Sequence, residues 1–235
     1  MELLKDIWEI ISTAELRNYL LHGFLNTLII SILASFFGLI LGVLIALVKV
    51  FCQDNKKLKI PYTICNIYTT VIRGTPIALQ MFIMVFAILA FQGFKVPAVI
   101  ITFALNSSAY VAENVRAGIM SIDKGQMEAG RALGLSKSKT LVKIIFPQAI
   151  KNIIPTIGNE LIALVKETSI VSMVGSTVGT LTFDLNVATQ TINKTIANYL
   201  APAILAGLMY LFIVYGITLL IKFVERKLLT NDKNQ

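Results

Sequence analysis

Long blocks of apolar residues, broken by short polar stretches, set the character of this chain. No charge interrupts the run from Gly23 to Val48, and none interrupts Thr195 to Ile221. Each is enough for a membrane-spanning helix, which takes about 20 apolar residues. Between them, Ile60 to Phe94 holds a single charge, Arg73, followed at once by Gly74, Thr75 and Pro76. As one straight helix this segment would run about 52 Å, longer than the hydrocarbon is thick. Pro76 has no N–H to give to a helix and marks where the segment tilts, bends or breaks. Val96 to Ala112 is a shorter run ending in Glu113 and Arg116. Pro147 to Val165 is the weakest, holding Lys151, Pro155 and Glu160. The pattern predicts one all-α integral membrane domain over residues 1–235 with five transmembrane helices. They fall at about 23–49, 60–94 with a bend near 73–76, 96–116, 147–166 and 196–222.

Composition supports that class and excludes others. Of 235 residues 56% are hydrophobic and only 14% charged, where a soluble domain carries about 25% charged residues. A soluble enzyme, a disordered regulator and a secreted disulfide scaffold are all excluded. Cys52 and Cys65 make no disulfide or metal framework and read as free thiols near the membrane. The net charge of +8 belongs to cytoplasmic loops rather than to nucleic-acid binding. With the first span entering from outside, the inner side collects Lys49, Lys56, Lys57 and Lys59, then Arg116, Lys124, Arg131, Lys137, Lys139 and Lys143, then Lys222, Arg226, Lys227 and Lys233. The outer side keeps Lys5, Arg17, Lys95 and Lys194. This positive-inside bias sets the N-terminus outside and the C-terminus in the cytoplasm. Dividing Ile60 to Phe94 into two full crossings would reverse the bias. The first 22 residues carry too many charges for a cleavable signal peptide, and around Trp8, Ile10 and Ile11 they suit an interfacial amphipathic helix.

Residues 117–146 form an inner connection longer than the usual link between bundle helices, and they carry helical punctuation. Asp123 is placed as an N-cap with Gln126 three residues on, Gly134 as a C-terminal stop and Ser136 as a second cap. The spacing predicts a helix outside the bilayer, between the third and fourth spans, with a small apolar face of Ala129, Ala132 and Leu133 rimmed by Gln126, Glu128 and Arg131. Such a face suits the groove of a cytoplasmic partner, or else the lipid headgroups. Ala34, Gly38, Gly42 and Ala46, four apart on the first span, allow close helix approach.

The run Glu128-Ala129-Gly130, then Gly134, then Ile144-x-Phe146-Pro147 resembles the EAA loop of ABC-transporter membrane permeases. Gly130 stands where that motif has its second Ala, and Phe146 where it has Leu. Five further pieces are similar to the polar amino-acid branch of the family and stand in its order: Gly23 to Leu28, Arg73 to Pro76, Ser108 to Glu113 with Arg116, Gly125-Gln126-x-Glu128-Ala129, and Lys166 to Ser169. The resemblance covers about residues 22–222. It implies the membrane subunit of an amino-acid importer in a bacterial cell membrane, paired with a second permease subunit, identical or paralogous. It also implies two cytoplasmic ATP-binding subunits, which hold the ATP and Mg, and an extracytoplasmic substrate-binding protein. The connection bearing Gln126, Glu128, Ala129, Gly130, Arg131, Ala132, Leu133 and Gly134 would then be the coupling helix. The chain has no phosphate-binding Gly-rich loop of its own, so no catalytic residue, cofactor or metal is expected in it.

Charges within a span are costly and invite a functional reading. Arg73 and Glu160 each fall about 20 Å from the inner end of their segments. A guanidinium beside a helix break at Gly74, Thr75 and Pro76, level with a carboxylate, suits a zwitterion: Arg73, Gly74 and Thr75 for the α-carboxylate, Glu160 for the amino group. The bland alternative is mutual neutralisation of Arg73 and Glu160, or pairing with Lys166 or Glu113. Glu113 and Arg116, three apart on a helix, read as a structural ion pair. Against the importer stands a channel or secondary transporter driven by an ion gradient, for which the long inner connection would have no task.

Overall fold

A computed structural model describes residues 2–53, 56–176 and 179–230. Among these residues the secondary structure is helical throughout. An N-terminal helix α1 (Glu2–Ser12) is followed by the long α2 (Ala14–Cys52), then α3 (Lys59–Gly74) and α4 (Ile77–Ile83), which runs on into a π-helical turn at Met84–Ile88. The next are α5 (Lys95–Met120), α6 (Lys124–Ala132) and α7 (Lys137–Thr140), with a second π-helical turn at Leu141–Ile145 leading into α8 (Phe146–Glu167). A 3-10 segment at Thr168–Val174, α9 (Leu185–Ile196) and α10 (Leu200–Thr230) complete the chain.

Three helices, α2, α5 and α10, are long and apolar enough to cross a membrane, and α3 with α4 make a fourth candidate if the bent pair counts as one span. The bend is 107°, at the place where Pro76 removes a donor and forces Thr75 into extended backbone. The helix expected at 147–166 is present as α8, with Pro155 inside it. Its charges keep it out of the apolar class. The last span starts later than expected, because Ala197 turns left-handed (φ 51°) and ends α9 before α10 begins.

The chain forms two compact units. The first comprises residues 1–36, 76–104 and 162–216, the second 37–75, 105–161 and 217–235. The chain passes from one to the other five times, once within each segment expected to span the membrane.

In the first unit, α1 is amphipathic. Ile10 is buried with Leu16, Leu20, Phe183, Leu185 and Ile192, while Leu4 and Trp8 remain exposed. A second cluster gathers Ile30, Met81, Val99, Phe103, Leu164 and Val171. The entry to α9 is pinned by polar groups inside this unit. Asn26 donates to the carbonyls of Thr180 (3.0 Å) and Phe183 (2.9 Å). Leu185 N–H donates to Thr27 Oγ1 at 3.1 Å. Buried Asp184 caps the helix, its carboxylate accepting from Asn186 N–H at 3.2 Å and Val187 N–H at 3.0 Å. The 3-10 segment at Thr168–Val174 and the capped α9 belong to this unit.

In the second unit, Ile45, Val50, Val111, Val115, Ile145 and Ile153 belong to one core. The small residues of α2 seat it within this chain: a Cβ on Gly42 would lie 2.7 Å from the Ser108 carbonyl and from Val111. Gly118 meets Ile153 in the same way.

Candidate functional site

The predicted punctuation of the inner connection holds in detail. Asp123 caps α6, its carboxylate accepting from Gly125 N–H at 2.6 Å. Gly134 takes φ +82°, a left-handed conformation that ends the helix and suits a residue without Cβ. Ser136 caps α7, its hydroxyl accepting from Lys139 N–H at 3.3 Å. The helix runs for about two and a half turns. Gln126 does not complete a capping box; its Oε1 accepts from Gln148 Nε2 at 3.4 Å, tying α6 to α8.

The face of α6 divides sharply. Gln126, Glu128, Ala129, Arg131, Ala132 and Leu133 are exposed, and Leu133 keeps 80% of its surface open. Met127 packs half-buried against the core, and Gly130 is fully turned inward: a Cβ there would come within 2.5 Å of Thr140 Cγ2 and 2.9 Å of its Oγ1. The departure from the EAA motif at Gly130 therefore has a local cause in Thr140, which is fully buried beside it. Leu133 is thus an exposed leucine at the end of a capped helix, flanked by charged and polar side chains.

The intramembrane candidates lie in the same unit, which holds Arg73, Gly74, Thr75 and Glu160. Arg73 is in the last turn of α3, where the helix dipole favours a cation. Its guanidinium carbon lies 5.4 Å from the centre of the Tyr110 ring, a cation–π geometry. Thr75 donates its hydroxyl to the Val71 carbonyl at 2.9 Å, closing the end of α3. Gly74 has open space where a side chain would stand. Glu160 is half-buried on α8, past Pro155, and engages in interactions of its own. Arg73 to Thr75 thus form an exposed corner at the end of α3, with Glu160 on a separate helix of the unit.

Lys49, which the charge pattern assigns to the cytoplasmic loops, sits inside α2 with 2% of its surface exposed. Its ammonium pairs with Glu113 and donates to Asn66 Oδ1 (3.1 Å) and Thr69 Oγ1 (3.0 Å). The expected pair is present beside it, Arg116 Nε donating to Glu113 Oε2 at 2.9 Å. The Lys49 ammonium thus joins α2, α3 and α5. The signal for Lys49 was its apolar setting: Leu47 and Val48 before it and Val50 and Phe51 after it carry the helix past the charge. Cys52 and Cys65 are free thiols. Among the described residues no group of three or more His, Cys, Asp or Glu is gathered to hold a metal ion.

Residues 38–230 match the family described as the inner membrane component of binding-protein-dependent transport systems. An arginine transport system permease protein of Bacillus subtilis is 41% identical over 219 residues, 91% of this chain and 94% of that protein. A Rickettsia bellii protein that carries the name of a glutamine transport system permease is 40% identical over 216 residues, with the same coverage. A solved structure of an amino acid ABC transporter with histidines superposes with TM-score 0.79 at 32% identity, covering 93% of this chain and 98% of the other. A methionine ABC transporter in inward-facing form, 19% identical and with TM-score 0.74, shares the fold. By sequence over most of its length and by fold, the chain belongs to the family of binding-protein-dependent transport system inner membrane components.

Proposed function

We propose that the chain is the non-catalytic translocating subunit of an ATP-driven importer that carries a polar amino acid across a bacterial cell membrane. It works beside a second permease subunit, identical or paralogous, with two cytoplasmic ATP-binding subunits that hold ATP and Mg and an outer binding protein that delivers the substrate. Five spans, with the N-terminus outside and the C-terminus in the cytoplasm, place α6 on the ATPase side. The family supports the assignment, and relatives named for arginine, glutamine and L-cystine transport support an amino-acid substrate. A gradient-driven transporter finds no support among these relatives.

The observation that carries the reading is the exposed face of α6. Gln126, Glu128, Ala129, Gly130, Arg131, Ala132, Leu133 and Gly134 form the coupling segment. Gly130 meshed with Thr140, together with Gln126 held by Gln148, makes α6, α7 and the start of α8 one stiff piece. Asn152 Nδ2, donating to Ser121 Oγ at 2.9 Å, fastens α8 to the end of α5. Movement of the ATPase pair is thereby passed to the spans as a rigid-body displacement. At the far end of this lever, Arg73 with Gly74 and Thr75 receives the α-carboxylate, and Glu160 on α8 receives the amino group. An arginine seated over Tyr110 keeps its in-plane N–H fork for a carboxylate. A single carboxylate suits a neutral or cationic amino acid over an acidic one.

Leu133→Glu tests the coupling assignment, because this side chain is exposed and its replacement leaves the packing intact. The variant is expected to insert normally but to lose the ATPase subunit on co-purification and to lose uptake. Retention of both would refute the role of α6.

A further inference from the structure

The first unit carries a groove of about 440 Å³ between α1, the start of α2 and α10. Its lining on α2 runs from Arg17 to Phe24 and on α10 from Leu205 to Phe212, a rise of about 10 Å on each helix. Ile10 and Ile11 of α1 complete it. At one end the rings of Phe24 and Phe212 stand 6.4 Å apart. At the other is Arg17, the one charged residue of the lining. Its Nη1 donates to the Ile11 carbonyl at 3.0 Å, which ties α2 to the end of α1. A guanidinium has five N–H donors, so this bond leaves most of them for a ligand. Among the described residues no carboxylate lies within ion-pair distance of Arg17. Glu9 and Glu15, the acids nearest in sequence, do not line the groove, and Glu15 accepts from the Tyr19 hydroxyl at 2.6 Å.

We infer that this groove seats one phospholipid of the leaflet at which α2 enters the membrane. Its phosphate rests on Arg17, and one acyl chain follows the apolar lining toward Phe24 and Phe212. Charge and shape both argue for this occupant. A guanidinium matches a phosphate bidentately, but a free phosphate would leave the apolar length of the groove unfilled. A 10 Å length of α-helix with its side chains takes up about 800 Å³, about twice the groove, so a helix of a second copy does not enter it. An extended acyl chain does. The depth agrees as well. While Ile10 of α1 is buried in the unit with Leu3 and Ile7 packed beside it, Leu4, Trp8 and Ile11 form a second apolar stripe, 45–71% exposed. A tryptophan suits the headgroup level of a membrane, and Ile11, next on that stripe, is the residue that Arg17 holds. The lipid thereby fastens α1 to α10 across the groove. The inference rests on α2 and α10 crossing the membrane and is independent of the coupling role of α6.

The test is native mass spectrometry of the protein, extracted in mild detergent with the subunits that accompany it, in micelles holding phosphatidylglycerol and phosphatidylethanolamine. The expected result is one phospholipid retained per chain and not displaced by millimolar inorganic phosphate. Arg17→Gln keeps an N–H for the Ile11 carbonyl but loses the charge, and should lower retention about tenfold or more. Leu208→Trp, which fills the groove from a position 57% exposed, should do the same with Arg17 in place. Unchanged retention in either variant, or displacement by phosphate, would overturn the site. Leu21→Cys, on the lining and 47% exposed, tests for a second copy of the chain, with Cys52 and Cys65 replaced by Ala. Oxidation in membranes is expected to leave single chains. A disulfide-linked pair would show that a second copy covers the groove, and would refute the lipid site.

Discussion

Lys49 shows how far a single buried charge reaches. Its ammonium pairs with Glu113 and is held by Asn66 and Thr69, while Arg116 holds the other carboxylate oxygen. Removing one partner of a buried pair leaves the other without compensation, at a cost of about 3–5 kcal/mol. Lys49→Met is therefore expected to lower the thermal stability of the solubilised protein strongly, and Lys49→Met with Glu113→Gln to recover part of the loss. A double variant no more stable than Lys49→Met would show that the pair contributes nothing to holding α2, α3 and α5. Asp184 presents the opposite case. Burial pushes its carboxyl from the ordinary 3.8 up to about 6, against the pull of the Val187 and Asn186 N–H groups. A folded-state pKa raised above the unfolded one means the folded chain holds the proton more tightly. The contribution of this group to stability is then greatest below about 3.8 and falls as pH rises to about 6. Asp184→Asn keeps an acceptor for the α9 cap and removes the titration. Its melting temperature should fall less than that of the wild type between those two pH values, and an identical slope would assign the effect elsewhere.

At the scale of elements, α6 and α7 show a motif adjusted to its neighbour. Ala is favoured over Gly in a helix interior by about 1 kcal/mol, so Gly130→Ala, which restores the residue usual in the family motif, would stabilise an isolated α6. Here the added methyl meets buried Thr140 at 2.5 Å. Gly130→Ala is expected to weaken ATPase binding and uptake, and Gly130→Ala with Thr140→Ala to restore both. Full activity of the single variant would mean that α6 and α7 separate freely. The α3–α4 corner was legible from Pro76, whose missing N–H allows no continuous helix. The 107° angle was not legible, since it depends on what each half buries. In α2 the small residues were visible as a stripe, but only the structure shows Gly42 set against the Ser108 carbonyl of the same chain.

For the whole molecule, the chain passes five times between two compact units. Large apolar side chains along α10, among them Leu211, Phe212, Tyr215 and Phe223, are 61–72% exposed, as lipid or a second permease subunit requires. The transport reading is testable at this scale. Glu160→Gln and Arg73→Ala are each expected to reduce amino-acid-dependent uptake about tenfold or more, the cost of one lost charge-assisted hydrogen bond, while the ATPase still co-purifies. Uptake at the wild-type level in either variant would remove that residue from the substrate site.

Membrane class, the helix break and the capped helix α6 were decided by the sequence alone. Each rests on a local property: apolar length against bilayer thickness, a proline without a donor, and side chains that cap a helix within three residues of themselves. Tertiary structure decided the rest. That Lys49 is buried rather than in a loop, that Gly130 faces Thr140, and that Asn26 and Thr27 hold the entry to α9 all depend on residues far apart in the chain. A helix periodicity tells which residues share a face, but the partner that covers that face is chosen by packing, and packing exists only once the chain has folded.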